Sequence, residues 1–219
     1  LDRQKEEAIM RTFKDVSHHF TEVFQELVPA GSGQLVMRTS RDKQEGDEDG
    51  AAAGGDDGAT MDVGLTVSEF KGVQVRVKFV GTGEQFLMQQ LSGGQKALVA
   101  LTLIFAIQRS DPAPFYLFDE IDQALDSTYR AAVATLIQRQ TNSSQNPAQF
   151  ITTTFRPELC AVANKHYGIG LQNRNSSIHA LNKRDCLAFV AELMTEEEAV
   201  GQDEVAASEP GSKKRGRSS

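Results

Sequence analysis

Two adjacent carboxylates, Asp119 and Glu120, directly follow the apolar run Phe115 to Phe118. A run of this length is typical of a buried strand, and α/β folds bind ligands at the carboxyl ends of such strands when they are parallel. One carboxylate can hold a magnesium ion beside a nucleotide phosphate, and its neighbour can orient and deprotonate an attacking water. The alternative interpretation is a pair of solvated acids at a strand end.

A second candidate site reads Leu91-Ser92-Gly93-Gly94-Gln95-Lys96 and precedes the helix-forming run Ala97 to Ile107. Ser92 is a favourable helix N-cap, and glycine lets a backbone approach another group closely. The amides and the positive dipole end of such a helix attract anions, phosphate above all. An ordinary capped helix after a turn has the same pattern. The presence of both sites in one chain, in this order, favours nucleotide chemistry over coincidence.

The candidate segments resemble known ATPase motifs. Leu91 to Gln95 is similar to the signature motif of ABC-type ATPases, Phe115 to Glu120 to their Walker B strand, and Ala124-Leu125-Asp126 to their D-loop. The wording from Phe118 to Asp126 resembles the SMC branch, the chromosome-organising ATPases. Transporters usually carry Glu-Pro-Thr after the aspartate, and this chain does not.

Two further segments, Asp111-Pro112-Ala113-Pro114 and the run Gln149 to Leu159, resemble the third type of SMC subunit, that of eukaryotic cohesin. The resemblance covers roughly Ile9 to Val190, apart from an acidic insert. It implies an α/β fold, namely the C-terminal lobe of an ABC-type ATPase head with the base of a coiled-coil arm.

The resemblance also implies roles for the motif residues. Asp119 would hold Mg²⁺ on ATP bound by the chain's own N-terminal half, and Glu120 would position the attacking water. Asp126 of the D-loop would help to join the two ATP sites of a head dimer. The signature motif would contact the γ-phosphate of ATP held by the partner head, through Leu91, Ser92, Gly93, Gly94, Gln95 and Lys96.

The partners implied by the resemblance are the N-terminal half of the same head, a second SMC head in a heterodimer, a kleisin subunit, and DNA through the assembled complex, with no membrane. The chain is expected to be an ATP hydrolase only when joined to its N-terminal half and a partner head. The expected location is the nucleus and the chromosome. The expected roles are DNA entrapment, sister chromatid cohesion and chromosome organisation.

Two elements of a complete ABC-type ATPase are missing from the sequence. No Gly-x-x-x-x-Gly-Lys-Ser/Thr phosphate loop occurs, which fits a C-terminal half because SMC proteins carry that loop in the N-terminal half. Phe155 stands where transporters carry a histidine that contacts the γ-phosphate. A transporter domain would need that histidine, a DNA-repair ATPase head would lack the run Asp111 to Pro114, and a non-catalytic scaffold would lose Glu120.

Residues 1–28 are predicted to form the base of the coiled-coil arm as one helix. Its apolar residues follow a heptad spacing, which favours left-handed coiled-coil packing. They are Ile9, Phe13, Val16, Phe20, Val23 and Leu27. A single amphipathic helix lying on its own domain has the same pattern. The cohesin resemblance makes the first four of these residues candidates for binding the kleisin subunit's N-terminal region.

Residues 29–194 are predicted to form the C-terminal lobe of the head. The alternating run Val73 to Phe79 predicts a half-buried antiparallel strand, and Lys183 to Met194 predicts a final helix. The acidic insert 41–62 and the tail 195–219 have little to bury, so both are predicted to be disordered.

Composition limits the remaining function classes. The chain has 219 residues and a formal net charge of −7, which argues against strong nucleic-acid binding by this chain alone. No apolar run approaches the length of a membrane span. The two cysteines, Cys160 and Cys186, show no metal-ligand spacing and are predicted to be packed thiols in a reducing interior.

Overall fold

The computed structural model describes residues 2–40, 69–81, 83–142 and 148–208. Within them the helices are α1 (Asp2–Leu27), α2 (Gly93–Ser110), α3 (Ser127–Thr141), α4 (Pro157–Val162) and α5 (Lys183–Ser208). The strands are β1 (Ser32–Thr39), β2 (Phe70–Lys78), β3 (Phe86–Leu87), β4 (Phe115–Asp119), β5 (Gln149–Thr153), β6 (His166–Gln172) and β7 (Asn175–Leu181). This mixture of helices and strands confirms the predicted α/β class.

The chain divides into two compact units. The first contains Leu1–Leu117 and Ala124–Ile151, and the second contains Phe118–Gln123 and Thr152–Ser219. Strands β4 and β5 begin in the first unit and end in the second. The loop before α2 therefore belongs to the first unit, and the two candidate acids belong to the second.

The core of the first unit forms around the C-terminal half of α1. Phe20 and Phe24 are fully buried, and their stacked rings lie 6.2 Å apart between centroids. Strand β1 lies directly on these rings, because a Cβ added to Gly33 would come within 2.8 Å of Phe24. The Thr21 hydroxyl also donates to the Gly33 carbonyl oxygen at 2.9 Å. The missing side chain at Gly33 is what allows helix and strand to pack this closely.

The apolar seam of α1 divides into an exposed part and a buried part. Ile9 is 38% exposed, and Phe13 and Val16 are half-buried. Phe20 and Leu27 are 0% and 2% exposed. For the buried part the amphipathic interpretation is correct. The prediction that Phe20 is available to a kleisin subunit is wrong, because the chain's own core covers it.

Helices α2 and α3 are tied at their C-terminal ends to one carboxylate on α1. Arg109, in the last turn of α2, donates to Glu26 at 2.7 Å, and Arg139 of α3 lies 3.7 Å from the other Glu26 oxygen. Arg109 also lies 3.7 Å from Glu22. Partly exposed ion pairs of this kind contribute about 1 kcal/mol or less each. Their main effect here is to orient the two helices on α1.

Strands β1, β2 and β3 form an antiparallel sheet in that order. Leu35 pairs with Val75, and Leu35 is buried. On β2, Val77 is 1% exposed and Val73 is 52% exposed. The antiparallel strand predicted from the alternating valines is therefore confirmed, and its apolar face is buried at Val77 but not at Val73. At the far end of the hairpin Thr39 pairs with Phe70. The acidic insert 41–62, predicted to be disordered, lies outside the described residues.

Strands β4 and β5 are parallel, and α3 lies between them in the sequence. The Gln149 amide donates to the Pro114 carbonyl at 3.1 Å, and the Glu120 amide donates to the Thr153 carbonyl at 3.2 Å. The bonds join the two strands in the same order along each, as parallel pairing requires. The prediction that the acids follow a parallel strand is confirmed.

Strand β4 is less buried than its apolar sequence predicts. Phe118 is 8% exposed, but Phe115 and Leu117 are 54% and 67% exposed. Within the described residues this sheet has two strands, and Ile151 on β5 is also 50% exposed. The prediction of a buried strand is therefore wrong for this chain by itself, because parallel sheets normally need further strands and helices to cover them.

The core of the second unit lies between α4 and α5. Cys160 on α4 packs against Cys186 and Val190 on α5, and both cysteines are free and buried. Burial and the neighbouring Cys186 thiol raise the pKa of Cys160 to about 12. The Cys160 thiol therefore stays protonated and unreactive at neutral pH. This confirms the prediction of packed thiols.

Helix α5 is longer than predicted. It ends at Ser208, whereas the sequence predicted a helix end at Met194 and a disordered tail from Thr195. The segment 195–208 is rich in glutamate and alanine, which are strong helix formers and can extend a helix that has little to bury. Residues 209–219 lie outside the described part of the chain. None of the helices in the described part is both long and apolar enough to cross a membrane.

Candidate functional site

The loop before α2 closes the start of that helix with a capping box. The Ser92 hydroxyl accepts from the Gln95 amide at 3.3 Å, and the Gln95 side-chain oxygen accepts from the Ser92 amide at 3.0 Å. These bonds satisfy two backbone N–H groups, those of Ser92 and Gln95, at the N-terminus of α2. Gly93 and Gly94 lie between Ser92 and Gln95 in the sequence. Because glycine has no side chain, the backbone amides of both residues are left uncovered by side-chain atoms of their own. Leu91, 5% exposed, anchors the loop in the core.

Gly94 lies against the predicted D-loop. A Cβ added to Gly94 would come within 2.7 Å of the Ala124 carbonyl oxygen, whereas one added to Gly93 would meet nothing within 4 Å. A side chain at Gly94 would therefore push the two loops apart. The structure thus brings the predicted signature loop and D-loop together, and both belong to the first unit.

Asp126 caps the N-terminus of α3. Its carboxylate accepts from the Tyr129 amide at 3.1 Å, and Arg130 donates to the Leu125 carbonyl at 2.6 Å. Because Leu125 is also buried, the end of the predicted D-loop is fixed by both packing and hydrogen bonds. Lys96, the last residue predicted to belong to the signature motif, is exposed.

Asp119 and Glu120 both contact the Thr153 hydroxyl at the carboxyl end of the parallel strands. This hydroxyl donates to the Asp119 carboxylate at 2.6 Å and accepts from the Glu120 amide at 3.1 Å. The Glu120 amide is shared with the Thr153 carbonyl at 3.2 Å. Asp119 is exposed and Glu120 is half-buried, so both carboxylates are accessible from solvent.

Glu120 has a left-handed backbone, with φ of 47°. This conformation is uncommon for a residue with a side chain and costs about 1–2 kcal/mol. It is held from both sides, because the Glu120 amide bonds to Thr153 and the Glu120 carbonyl accepts from the Gln123 amide at 3.2 Å. Backbone strain of this kind persists only where the surrounding structure imposes it, and it is frequent at functional sites.

Residues 8–178 match the family described as RecF/RecN/SMC N terminal domain. The chain belongs to this family. It is 53% identical over 190 residues to Structural maintenance of chromosomes protein 3 of Arabidopsis thaliana, a match that covers 87% of this chain. This SMC chain spans 15% of the length of that relative.

Two solved structures share the fold. A structure described as "Structural biochemistry of ATP-driven dimerization and DNA stimulated activation of SMC ATPases" gives a TM-score of 0.65 at 30% identity and covers 86% of this chain and 96% of that chain. The Smc head domain of Pyrococcus furiosus, with an extended coiled coil and bound to the C-terminal domain of ScpA, gives 0.64 at 30% identity and covers 88% and 41%. The fold is therefore that of an SMC ATPase head, as the resemblance predicted.

Sequence analysis missed the polar partners of the acidic segment in this SMC chain. Asp122 is 1% exposed and accepts from the Thr154 hydroxyl at 2.5 Å. The same hydroxyl accepts from the Arg156 amide at 2.9 Å. The threonines at the end of β5 could have predicted these contacts from the sequence. Parallel pairing of β4 with β5 brings the end of β5 beside the acidic residues that follow β4.

Phe155 follows these threonines and is 47% exposed. It occupies the position at which the resemblance to ABC transporters leads us to expect histidine. A phenyl ring has neither a hydrogen-bond donor nor a positive charge to offer a phosphate. The absence of a γ-phosphate contact at this position of the SMC chain stays a prediction.

The two acids have the donor chemistry that Mg²⁺ requires. Magnesium takes oxygen ligands and is commonly bound by one or two carboxylates together with waters and substrate phosphates. Thr153 engages one acceptor position on Asp119, and a carboxylate offers about four, so others remain for an ion or its waters. In the described part of the chain, no cluster of three or more His, Cys, Asp or Glu side chains could hold a metal.

The bond between Thr154 and Asp122 is expected to stabilise the folded head. Thr154→Val keeps the side-chain shape but leaves the buried Asp122 carboxylate without that donor, which should cost about 1–3 kcal/mol of unfolding free energy. Urea denaturation of the complete head measures this. Thr152→Val, the same change two residues earlier on β5, is the control and should cost about 0.5 kcal/mol or less. Equal stability of the two variants would contradict the role of Thr154.

Proposed function

We propose that this chain is the C-terminal half of a cohesin-type SMC head. Joined to its N-terminal half and to a partner head in a heterodimer, it completes an ATPase. ATP binding drives engagement of the heads, and hydrolysis releases them. The cycle serves DNA entrapment, sister chromatid cohesion and chromosome organisation in the nucleus. DNA contacts belong to the assembled complex, since this chain has a net charge of −7.

The arrangement of Asp119, Glu120 and Thr153 carries this proposal. Two acidic residues follow one another at the end of a parallel strand, and one hydroxyl, that of Thr153, bonds the Asp119 carboxylate and the Glu120 amide, in a chain that belongs to the SMC family. The exposed apolar residues Leu117 and Ile151 support the packing of a further lobe on the two-stranded sheet. The N-terminal half of the head is the natural occupant, because it would also supply the phosphate loop that this sequence lacks.

Asp119 would hold magnesium on ATP through the carboxylate positions that Thr153 leaves open. When bound, the ion neutralises charge that develops on the transferred phosphate. Glu120 would orient the attacking water and accept its proton. Hydrogen bonds hold the Glu120 backbone at both its amide and its carbonyl. The side chain that carries the carboxylate is therefore attached to a rigid backbone.

The signature loop would act on ATP held by the partner head. The Gly93 and Gly94 amides lie at the positive end of α2, where a γ-phosphate is favourably bound. Gly94 also contacts Ala124, so the position of the loop depends on the D-loop. Asp126, which fixes the end of the D-loop, would in this way help to couple the two ATP sites.

Replacing Glu120 tests the assignment of the base. Glu120→Gln keeps the shape and the backbone bonds but removes proton acceptance. ATP should still bind and the heads should stay engaged, while turnover by the complete complex should fall about 100-fold or more. Steady-state ATPase assays measure this, with Glu192→Gln on the exposed face of α5 as the matched control. Turnover near the wild-type rate would show that another group activates the water.

The cross-interface role of Ser92 can be separated from the role of Asp119. Ser92→Arg fills the space before α2 with a bulky cation, so the lone head should bind ATP normally but fail to engage its partner. Asp119→Ala should weaken binding of magnesium and nucleotide in the lone head. Nucleotide titration of each head alone, followed by ATPase assays with the partner, distinguishes the two effects.

Ser92→Ala is the control for the lost helix cap, which by itself costs about 1 kcal/mol of stability. It removes the bond to the Gln95 amide without adding bulk, so it should engage the partner better than Ser92→Arg does. Loss of ATP binding by the lone Ser92→Arg head, with normal engagement in the mixed pair, would rule out the cross-interface assignment.

The exposed part of α1 is the proposed kleisin-binding surface. It comprises Ile9, which is 38% exposed, and the half-buried Phe13 and Val16. An apolar stripe on a helix is suited to packing against a second amphipathic helix. Phe20 is left out of this surface because it is fully buried.

Ile9→Ser is expected to weaken kleisin binding about tenfold, because most of the free energy of burying an isoleucine is lost. Arg11→Ser is the matched control, since Arg11 is also exposed on α1 and outside the apolar stripe. Calorimetric titration of the complete head with the kleisin N-terminal region measures both. Equal affinity of the two variants would exclude Ile9 from the surface.

A further inference from the structure

The Thr153 hydroxyl is hydrogen bonded to both acidic residues of the proposed ATPase site, to the side chain of one and to the backbone of the other. It donates to the Asp119 carboxylate at 2.6 Å and accepts from the Glu120 amide at 3.1 Å. A hydroxyl has one hydrogen and two lone pairs. Donation to Asp119 therefore leaves the lone pairs for the Glu120 amide, and the two bonds are mutually consistent.

We propose that Thr153 is a positioning residue for ATP hydrolysis. Its hydroxyl orients the Asp119 carboxylate that binds magnesium and holds the backbone of the base Glu120 in register with it. This inference rests on the proposed function, because it takes the roles of Asp119 and Glu120 from there.

The strength of the bond to Asp119 and the restricted conformation of Thr153 support this role. A hydroxyl–carboxylate bond of 2.6 Å has the short length of charge-assisted bonds, which are about twice as strong as neutral ones. Asp119 is exposed, so without this bond its side chain would sample several rotamers. Thr153 is a β-branched residue in a strand, with restricted χ1, and its own carbonyl is bonded to Glu120. The hydroxyl is therefore rigidly mounted.

The bonds made by Thr153 differ from those of its neighbour Thr154 in their surroundings. Thr154 bonds the buried Asp122, whereas Thr153 and Asp119 are both exposed. Water can replace a lost hydrogen bond between exposed groups, so the Thr153 hydroxyl should matter little for folding stability. A functional effect of its removal can thus be told apart from unfolding.

Three variants of the complete head, assembled with its partner, test the proposal. Thr153→Val removes the hydroxyl and keeps the shape, Thr153→Ser restores the hydroxyl, and Thr152→Val is the matched control on the other face of β5. Four quantities are measured: kcat for ATP, KM for ATP, the Mg²⁺ concentration that half-saturates binding of a non-hydrolysable ATP analogue to the lone head, and the melting temperature.

For Thr153→Val we expect kcat to fall about tenfold to 100-fold with KM for ATP within about twofold, because misplaced groups lower the rate more than they lower binding. The half-saturating Mg²⁺ concentration should rise several-fold, and the melting temperature should shift by less than about 2 °C. Thr153→Ser should recover most of the rate. Thr152→Val should behave like the wild type.

Several results would overturn the proposal. Thr153→Val could keep wild-type kcat and magnesium dependence, or Thr153→Ser could be as impaired as Thr153→Val. A large drop in melting temperature that parallels the loss of rate would show a merely structural role. If Glu120→Gln and Asp119→Ala abolish turnover while Thr153→Val does not, the positioning role fails and the proposed ATPase survives. If those two variants also turn over normally, the proposed function itself fails.

Discussion

The parallel pairing of β4 with β5 is the constraint on which the candidate site depends. It brings the end of β5 beside the residues that follow β4, so the Thr153 carbonyl and hydroxyl both reach the Glu120 amide. The same pairing sets Thr154 beside the buried Asp122. Glu120 can therefore keep its left-handed backbone, which its own conformational preference opposes. The geometry of the acids is thus a property of two strands together.

The first unit depends on a different contact, the packing of α1 on β1. Gly33 lets the strand lie against the buried rings of Phe20 and Phe24. Glu26 of α1 then meets Arg109 of α2 and Arg139 of α3. The helices that follow the predicted signature loop and the predicted D-loop therefore both end at Glu26 of α1.

The parallel sheet of the described chain exposes large apolar side chains. Phe115, Leu117 and Ile151 stand out from a two-stranded sheet, although their sequence pattern is that of a buried parallel strand. A parallel sheet is normally covered on both faces. The chain spans 15% of the length of its Arabidopsis relative.

The sequence by itself determined the elements and the family of this chain. Local signals did this: Ser92 as helix cap, the alternating valines of β2, and the motif wording around Asp119. It did not determine which half of the apolar seam of α1 is buried. A heptad pattern is the same whether the helix packs on the core of its own domain or on a partner helix. It also placed the end of α5 too early, since a scarcity of large apolar residues does not stop a helix rich in glutamate and alanine. Only the tertiary structure decided that Thr153 joins Asp119 to Glu120, because that contact links residues 34 positions apart through strand pairing.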